Sequence, residues 1–565
     1  MEKRNKWLSL VLCMAMVLTS LTGCGSQTKE NSSEGSSNNN NSVVESSQDV
    51  AGGIEEDLPE IIARAKADTN FNEEGYPIVK ETVKKTIMVR KTSNIGEPAE
   101  METLNYIAEK MNIELEWIVV GSDGWSERVS LMMATDDLPD IIIKGSIPTL
   151  SDAIEDGQLV AIDDLLEYYS TGLKPLLEQY PGVNVSARAS DGKMYCLPGI
   201  KTSEALLTGH RNLWINQKWL DNLGLDTPTT TDELLDVLRA FRDEDADGDG
   251  DPTNEIPYGV EDAGAKHTAS PQVIAGLFGL YSNLGTSDIQ VDGDRASYLK
   301  NTDDWKEVLQ YMNTMYTEGL LDNEVYTQTG DTAIAKMANA NLGVFGESYD
   351  DLFSTVADQY VPLAPVQSPN GKQPVIALSS NHAGSTTFIT SADESPWVSF
   401  RLLDYFYTYE GSMTLGCFNE DLIGITCQQY EDGSWDYTDE MLNDERGVAV
   451  AVGEACPLPG GSWGCWLHDE NVNYALSQNV RDSISVWKPY YQTDTVYSSP
   501  LFDSETKSKV AEIRTDLDVY VAECQAKFIT GEMSFDEWDN YCNTLKSLRV
   551  DELVSYYQAY LDSIQ

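Results

Sequence analysis

Between Ile87 and Lys144, short apolar runs alternate with helical faces, and this alternation is the tightest constraint on the fold. Ile87–Arg90 reads as a short strand, Ile113–Val120 is apolar and rich in β-branched residues, and Asp140-Ile-Ile-Ile-Lys144 reads as a buried strand. Between them, Pro98–Met111 opens with a proline suited to a first helical turn and places Met101, Leu104, Ala108 and Met111 on one face; Ser126–Ala134 is also helical. Strand–helix–strand–helix–strand order predicts a parallel sheet with helices on its faces.

A second α/β region opens at Leu213–Asn216, a strand, followed by a short helix Gln217–Leu223 that Gly224 stops. Thr230 and Glu233 have capping-box spacing ahead of the face Leu234, Leu238, Phe241. From Asp304 the chain is helix-rich: Leu342–Phe345 reads as a strand, and Ser395-Pro396-Trp397 opens a helix to about Glu410 with Ser395 as its cap. The end reads as an α-hairpin, Lys507–Lys527, a turn at Thr530-Gly531, then Ser534 with Glu537 as a second capping box. Two α/β lobes plus a helical C-terminal layer is the sum, and ligands of such sheets sit at strand carboxyl ends and between lobes.

The N-terminus sets the address. Lys3, Arg4 and Lys6 precede an apolar run from Trp7 to about Leu21, shorter than the roughly 20 residues a spanning helix needs. It ends in Leu21-Thr22-Gly23-Cys24, which resembles the bacterial lipobox, so Cys24 is expected to carry lipid after removal of a signal peptide at 1–23. Ser-, Asn- and Gly-rich residues 24–56 are expected to be a flexible tether. Lys plus Arg number 38 against 92 Asp plus Glu, a formal charge of −54, which excludes nucleic acid as a default partner. Beyond Cys24 an odd set of cysteines remains: Cys524 with Cys542, or Cys456 with Cys465, have pairing geometry open to them, and buried free thiols are the alternative.

The sharpest local motif is Asp243-Glu-Asp-Ala-Asp-Gly-Asp-Gly-Asp-Pro-Thr-Asn-Glu255. Counted from Asp245, carboxylates Asp245, Asp247 and Asp249 fall at alternate positions, Gly250 supplies a tight turn, and Asp251 stands where a backbone carbonyl usually serves. Glu255 closes the loop one position early for an EF-hand, while a register from Asp243 puts Asn254 last. Hard cations take six to eight oxygens, so a structural Ca²⁺ is expected here. Aromatic rings pack well on the apolar faces of sugars. The Gly-rich loop Gly460-Gly-Ser-Trp463-Gly-Cys-Trp466 has few ways to bury both tryptophans, and Tyr349 follows a strand directly. The four histidines are scattered and no metal-protease, nucleophile-elbow or phosphate-loop motif occurs, so no catalytic residue is assigned.

Leu213-Trp-Ile-Asn-Gln-Lys-Trp-Leu-Asp-Asn-Leu-Gly-Leu-Asp-Thr-Pro, the acidic loop running into Glu255-Ile-Pro257, Leu131-Met-Met-Ala-Thr-Asp-Asp-Leu-Pro-Asp140, Asp191-Gly-Lys-Met-Tyr195 and Phe528-Ile-Thr-Gly531 together resemble the extracellular solute-binding proteins of ABC transporters, especially oligosaccharide-binding lipoproteins of Gram-positive bacteria. The resemblance implies an α/β, two-lobe periplasmic-binding-protein-like clamp with a hinge and helical C-terminal additions. One lobe would span 57–204 and 370–430, the other 205–369 and 431–565. It also implies cleft residues at Trp125, Lys144, Arg211, Tyr349, Trp463 and Trp466, a neutral oligosaccharide bound intact, separate permease subunits as partners, a membrane reached through the lipid anchor, and an extracellular position. A calcium-dependent surface glycan hydrolase and a peptide or signal receptor of the same fold are the competing readings.

Overall fold

The computed structural model describes residues 58–564, apart from 93–94, 209–211, 252, 261–269, 285, 287, 348–352, 447, 459–462 and 473–477. Cys24 therefore lies outside the described residues, as do the signal peptide and the tether. Residues 58–565 form one compact unit.

Its first sheet is built as the alternation predicts. Val83–Lys91 lies at the centre, parallel to Ile113–Gly121 on one side and to Ile141–Ile143 on the other, and Phe388–Ile389 closes the edge antiparallel. Ile141, Ile142 and Ile143 are all buried, which explains a run apolar on both faces. Helices Glu102–Met111 and Trp125–Thr135 connect these strands, each ending in a left-handed residue, Asn112 and Asp136. Asp140 locks the entry of its strand, accepting from Thr86 N at 2.7 Å and Thr86 Oγ1 at 2.8 Å.

The second sheet runs Tyr360–Leu363, Leu213–Asn216, Leu342–Gly346, Ile256–Tyr258; only the last pair is parallel. The Thr230 capping box forms with both arms at 3.2 Å, and helix Thr231–Asp243 buries Leu234, Leu238 and Phe241. Around the sheet lie a large mixed core shared with helices Asp303–Thr317 and Ser504–Thr530, and a smaller cluster that includes Trp214, Phe345, Phe353, Tyr360 and Trp487. Trp214 meets Trp487 edge-on at 5.1 Å and Phe353 at 5.4 Å.

Several local expectations change. The C-terminal layer has a third helix, Val550–Ile564, after Trp538–Ser547. Ser534 caps through Asp536 N rather than Glu537. Ser395 does not cap the helix Pro396–Asp404, because its hydroxyl accepts from the buried Lys85 ammonium at 2.9 Å instead. That helix also stops at Asp404, whose carboxylate turns away to accept from Thr171 N, Gly172 N and Leu173 N at 2.6–2.9 Å and so caps the helix starting at Leu173. Cys196, Cys417, Cys427, Cys456, Cys465, Cys524 and Cys542 are all free thiols, so neither pairing left open by the sequence forms.

The chain passes from the first core to the second between Ile200 and Leu213, returns between Ile376 and Phe388, and leaves again between Val480 and Trp487. The core residues described between Tyr437 and Val480, among them Val452, Cys456, Trp463 and Val472, thus pack with the first core, not with the second as a boundary at 430–431 would place them. The cause is a pairing invisible in local pattern: Trp466–Leu467 adds parallel to Pro198–Lys201, with Trp466 opposite Ile200.

Lys85, on the central strand, is buried against Asp393, with side-chain exposures of 2% and 0%. Asp393→Ala leaves that ammonium charged and unpaired, so a loss of about 3–5 kcal/mol is expected in urea unfolding. A change under about 1 kcal/mol, the worth of an exposed pair, contradicts the assignment.

Candidate functional site

The carboxyl ends of the first sheet define one edge. Ile143 lies opposite Val89, so the next register step sets Lys144 beside Arg90. Lys144 takes a left-handed backbone (φ 65°) and is only 1% exposed. Among the described residues the side chains of Lys144 and Arg90 make no hydrogen bond or ion pair, and the Nε of Arg90 is buried without an acceptor. Burial, then the Arg90 charge, push the Lys144 ammonium down from 10.5 to about 8, with Cys456 nearby acting weakly in the opposite sense.

Behind Lys144, Trp125 acts as a support. Its indole N–H donates to Ser146 O at 2.8 Å, and its ring lies so close to Gly145 that a Cβ there would fall 2.0 Å from a ring carbon. Trp125 is 2% exposed, so its ring is packed into the turn rather than presented at a surface as expected. Its ring and N–H are both consumed in shaping the 144–146 turn.

The tryptophan loop divides its two rings. Trp463 is 2% exposed and packs edge-on against Phe406 at 6.0 Å, inside the first core. Burial is achieved because Gly464 lets the backbone press in: its N–H donates to Thr387 Oγ1 at 3.0 Å, and a Cβ would meet Leu197 O at 2.6 Å. The expectation that this loop exposes both tryptophans therefore fails for Trp463. Trp466 remains half-exposed, its N–H held by Thr202 Oγ1 at 2.9 Å. Its ring lies 4.4 Å from His468, which stacks in turn on exposed Tyr409 at 5.6 Å and meets Ser412 Oγ at 3.0 Å; burial lowers the His468 pKa. The segment around Thr386 and Thr387 ties this loop to the edge, since Gly145 N donates to Thr386 O at 3.4 Å and Leu197 N to Thr387 O at 2.9 Å. Arg211 and Tyr349 lie outside the described residues.

Sequence reasoning did not single out Arg90, Thr202 or His468. A cation ending an apolar strand, Ile87-Met-Val-Arg90, was the available signal for the first. Nothing local marks the other two.

Far from this edge, the acidic loop leaves helix Thr231–Asp243 and closes on Ile256. Asp245, Asp247 and Asp249 each bring a carboxylate oxygen within 4.8 Å of the others. Asp245 also accepts from Gly248 N and Gly250 N, both at 3.0 Å, over two glycines with positive φ (80° and 96°). Glu255 folds back so that Oε1 takes Ala246 N at 2.9 Å, leaving Oε2 buried with no partner. Asp251 turns out of the cluster to bind Thr253, at 3.2 Å to N and 2.6 Å to Oγ1, so its side chain does not join the other three as expected. Three converging carboxylates and an orphaned fourth oxygen suit a hard cation.

A match to the bacterial extracellular solute-binding protein family covers residues 96–411, more than half of the chain. The chain belongs to that family. It is 22% identical over 513 residues to the fructooligosaccharide ABC transporter substrate-binding protein FusA of Streptococcus pneumoniae serotype 4, covering 87% of this chain and 92% of FusA. The solved structure of FusA in complex with kestose superposes with a TM-score of 0.67 at 22% identity, over 85% of this chain and 99% of that one; FusA has also been solved as an EF-hand mutant with fructo-nystose. An HMO-binding, ABC-transporter-associated solute-binding protein from Bifidobacterium longum infantis superposes with a TM-score of 0.72 at 21% identity, over 86% of this chain and 99% of that one. The fold of this family member is thus the two-lobe α/β binding-protein fold, and no helix among its described residues is long and apolar enough to cross a membrane.

Lys144 gives the edge a pH signature. Its folded pKa of about 8 lies below the usual 10.5, so between those values the unfolded chain binds more protons and stability rises with pH. Lys144→Met is expected to stabilise the protein near pH 7 by on the order of 2 kcal/mol, with the gain shrinking toward pH 10 in urea unfolding. A variant that is less stable at pH 7 contradicts the unpaired, buried ammonium.

Proposed function

We propose that this chain is the extracellular receptor of a bacterial ABC importer, binding an oligosaccharide and handing it intact to separate permease subunits. The observation that carries this reading is the match to FusA, which runs through 92% of that relative's length and so takes in both sheets rather than one shared module. The geometry supports it. Trp466 keeps part of its ring open while Thr202 and His468 hold its orientation, the pre-set aromatic surface that sugar stacking calls for. Binding then acts by shifting the balance between conformations of the clamp, with no bond made or broken. Cys24, lipid-modified, anchors the receptor to the outer face of the membrane.

The test is calorimetry against a panel of oligosaccharides with product analysis of the same samples. Tight binding with unchanged sugar is expected, and Trp466→Ala should weaken it by about 1–3 kcal/mol, the loss of one aromatic contact. Released product instead supports the hydrolase reading, and wild-type affinity in the variant removes Trp466 from the site.

The acidic loop is proposed to hold a structural Ca²⁺ through Asp245, Asp247, Asp249 and Glu255, a reading that the EF-hand mutant made of FusA supports. A bound cation neutralises carboxylates that otherwise repel and ties the end of helix Thr231–Asp243 to the strand at Ile256. Chelation of calcium from the purified protein is expected to lower Tm by about 1–2 °C, which is about 1–2 kcal/mol for a unit of this size, with recovery on adding Ca²⁺ back. An unchanged Tm removes the site.

A further inference from the structure

The receptor reading leaves the ligand's chemistry open, and the two bare cations at the sheet edge bear on it. Acids outnumber bases 92 to 38 in this chain, so a basic side chain meets a carboxylate easily. Lys85, Lys110, Arg188, Arg239, Lys336 and Arg514 all do so. Arg90 and Lys144 do not, although Lys144 is 99% buried and the Nε of Arg90 is sealed from water. Like charges side by side, one on a buried side chain and the other on a half-buried one, are costly unless an opposite charge joins them. Nothing described in the protein provides it. Their position completes the argument: both sit where strands of a parallel sheet end, which is where ligands of open α/β sheets bind.

We propose that Arg90 and Lys144 form an anion subsite of the glycan-binding edge, taking the carboxylate of a uronic acid, so that the oligosaccharide this receptor carries is acidic rather than neutral. The assignment rests on the receptor reading and deepens it. A guanidinium presents parallel N–H groups that match a planar carboxylate, and the ammonium beside it adds a point charge without demanding geometry. The net charge of −54 does not forbid this. Fields of surface carboxylates are screened over about 8 Å at physiological salt, and within the edge the nearest groups set the sign. A sulfate ester on a sugar offers the same charge on a tetrahedral group, and the test separates the two.

The purified full-length chain in detergent, loaded with Ca²⁺, is titrated by calorimetry with oligogalacturonides, alginate oligomers, their carboxyl-reduced counterparts, a sulfated oligosaccharide and a neutral fructan. At least one uronate oligomer is expected to bind tenfold or more tighter than its carboxyl-reduced form, with that preference lost in Lys144→Met and in Arg90→Gln. Lys144→Met serves as the folding control, since it is expected to melt no lower than wild type. Preference for the sulfated sugar alone overturns the carboxylate assignment. Binding of neutral sugars with no uronate preference, or a preference that survives both variants, overturns the subsite while the receptor reading stands. No glycan bound at all overturns both.

Discussion

Register in the first sheet governs everything placed at its edge. Val83–Lys91 is held between two parallel neighbours, and its inner partners are fixed by buried polar locks at the opposite end: Asp140 on Thr86, and Lys85 on Asp393. A slip of one residue would turn Lys85 out of its pocket and put the apolar face into water, so the register is strongly specified. With it fixed, Ile143 must oppose Val89, and the chain can leave the strand only with Lys144 alongside Arg90. The turn that follows is shaped by Trp125, whose ring fits only because residue 145 lacks a Cβ.

This arrangement separates the groups that stabilise the fold from those without a partner among the described residues. Buried charges that serve the fold are saturated: Asp404 accepts from three consecutive backbone amides, and Lys85 reaches Asp393 and Ser395 together. At the edge the opposite holds: the Lys144 side chain, 1% exposed, and the buried Nε of Arg90 have no partner among the described residues. Groups kept in a costly state by a well-ordered scaffold are the usual mark of a site that a ligand completes. Trp466 is only partly buried, its ring in contact with His468 and its N–H held by Thr202.

Much of the scaffold was legible from local pattern. Ile141 to Ile143 read as a doubly covered strand because no polar residue interrupts them, and the Thr230–Glu233 box formed because its partners lie within one helical turn. What failed were inferences that needed a distant partner. Ser395 has a good cap sequence, yet its hydroxyl serves Lys85, some three hundred residues earlier. Trp463 and Trp466 share one loop and one composition, and their opposite fates depend on Phe406, Thr387 and Thr202. In the acidic loop, spacing brought Asp245, Asp247 and Asp249 together, whereas Asp251 was diverted by a hydroxyl two residues on, a local competitor that the motif alone does not weigh.

The sequence by itself determined the element order, the three parallel strands of the first sheet and the clustering of Asp245, Asp247 and Asp249, because each follows from residue patterns within short stretches of chain. Only the tertiary structure decided that Trp463 is buried while Trp466 is not fully so, which core takes Val452, Cys456 and Val472, and that Arg90 and Lys144 stand together without a counter-charge among the described residues. Those outcomes depend on contacts between segments far apart in the chain, where burial and charge are properties of the assembled neighbourhood and not of any residue's own spacing.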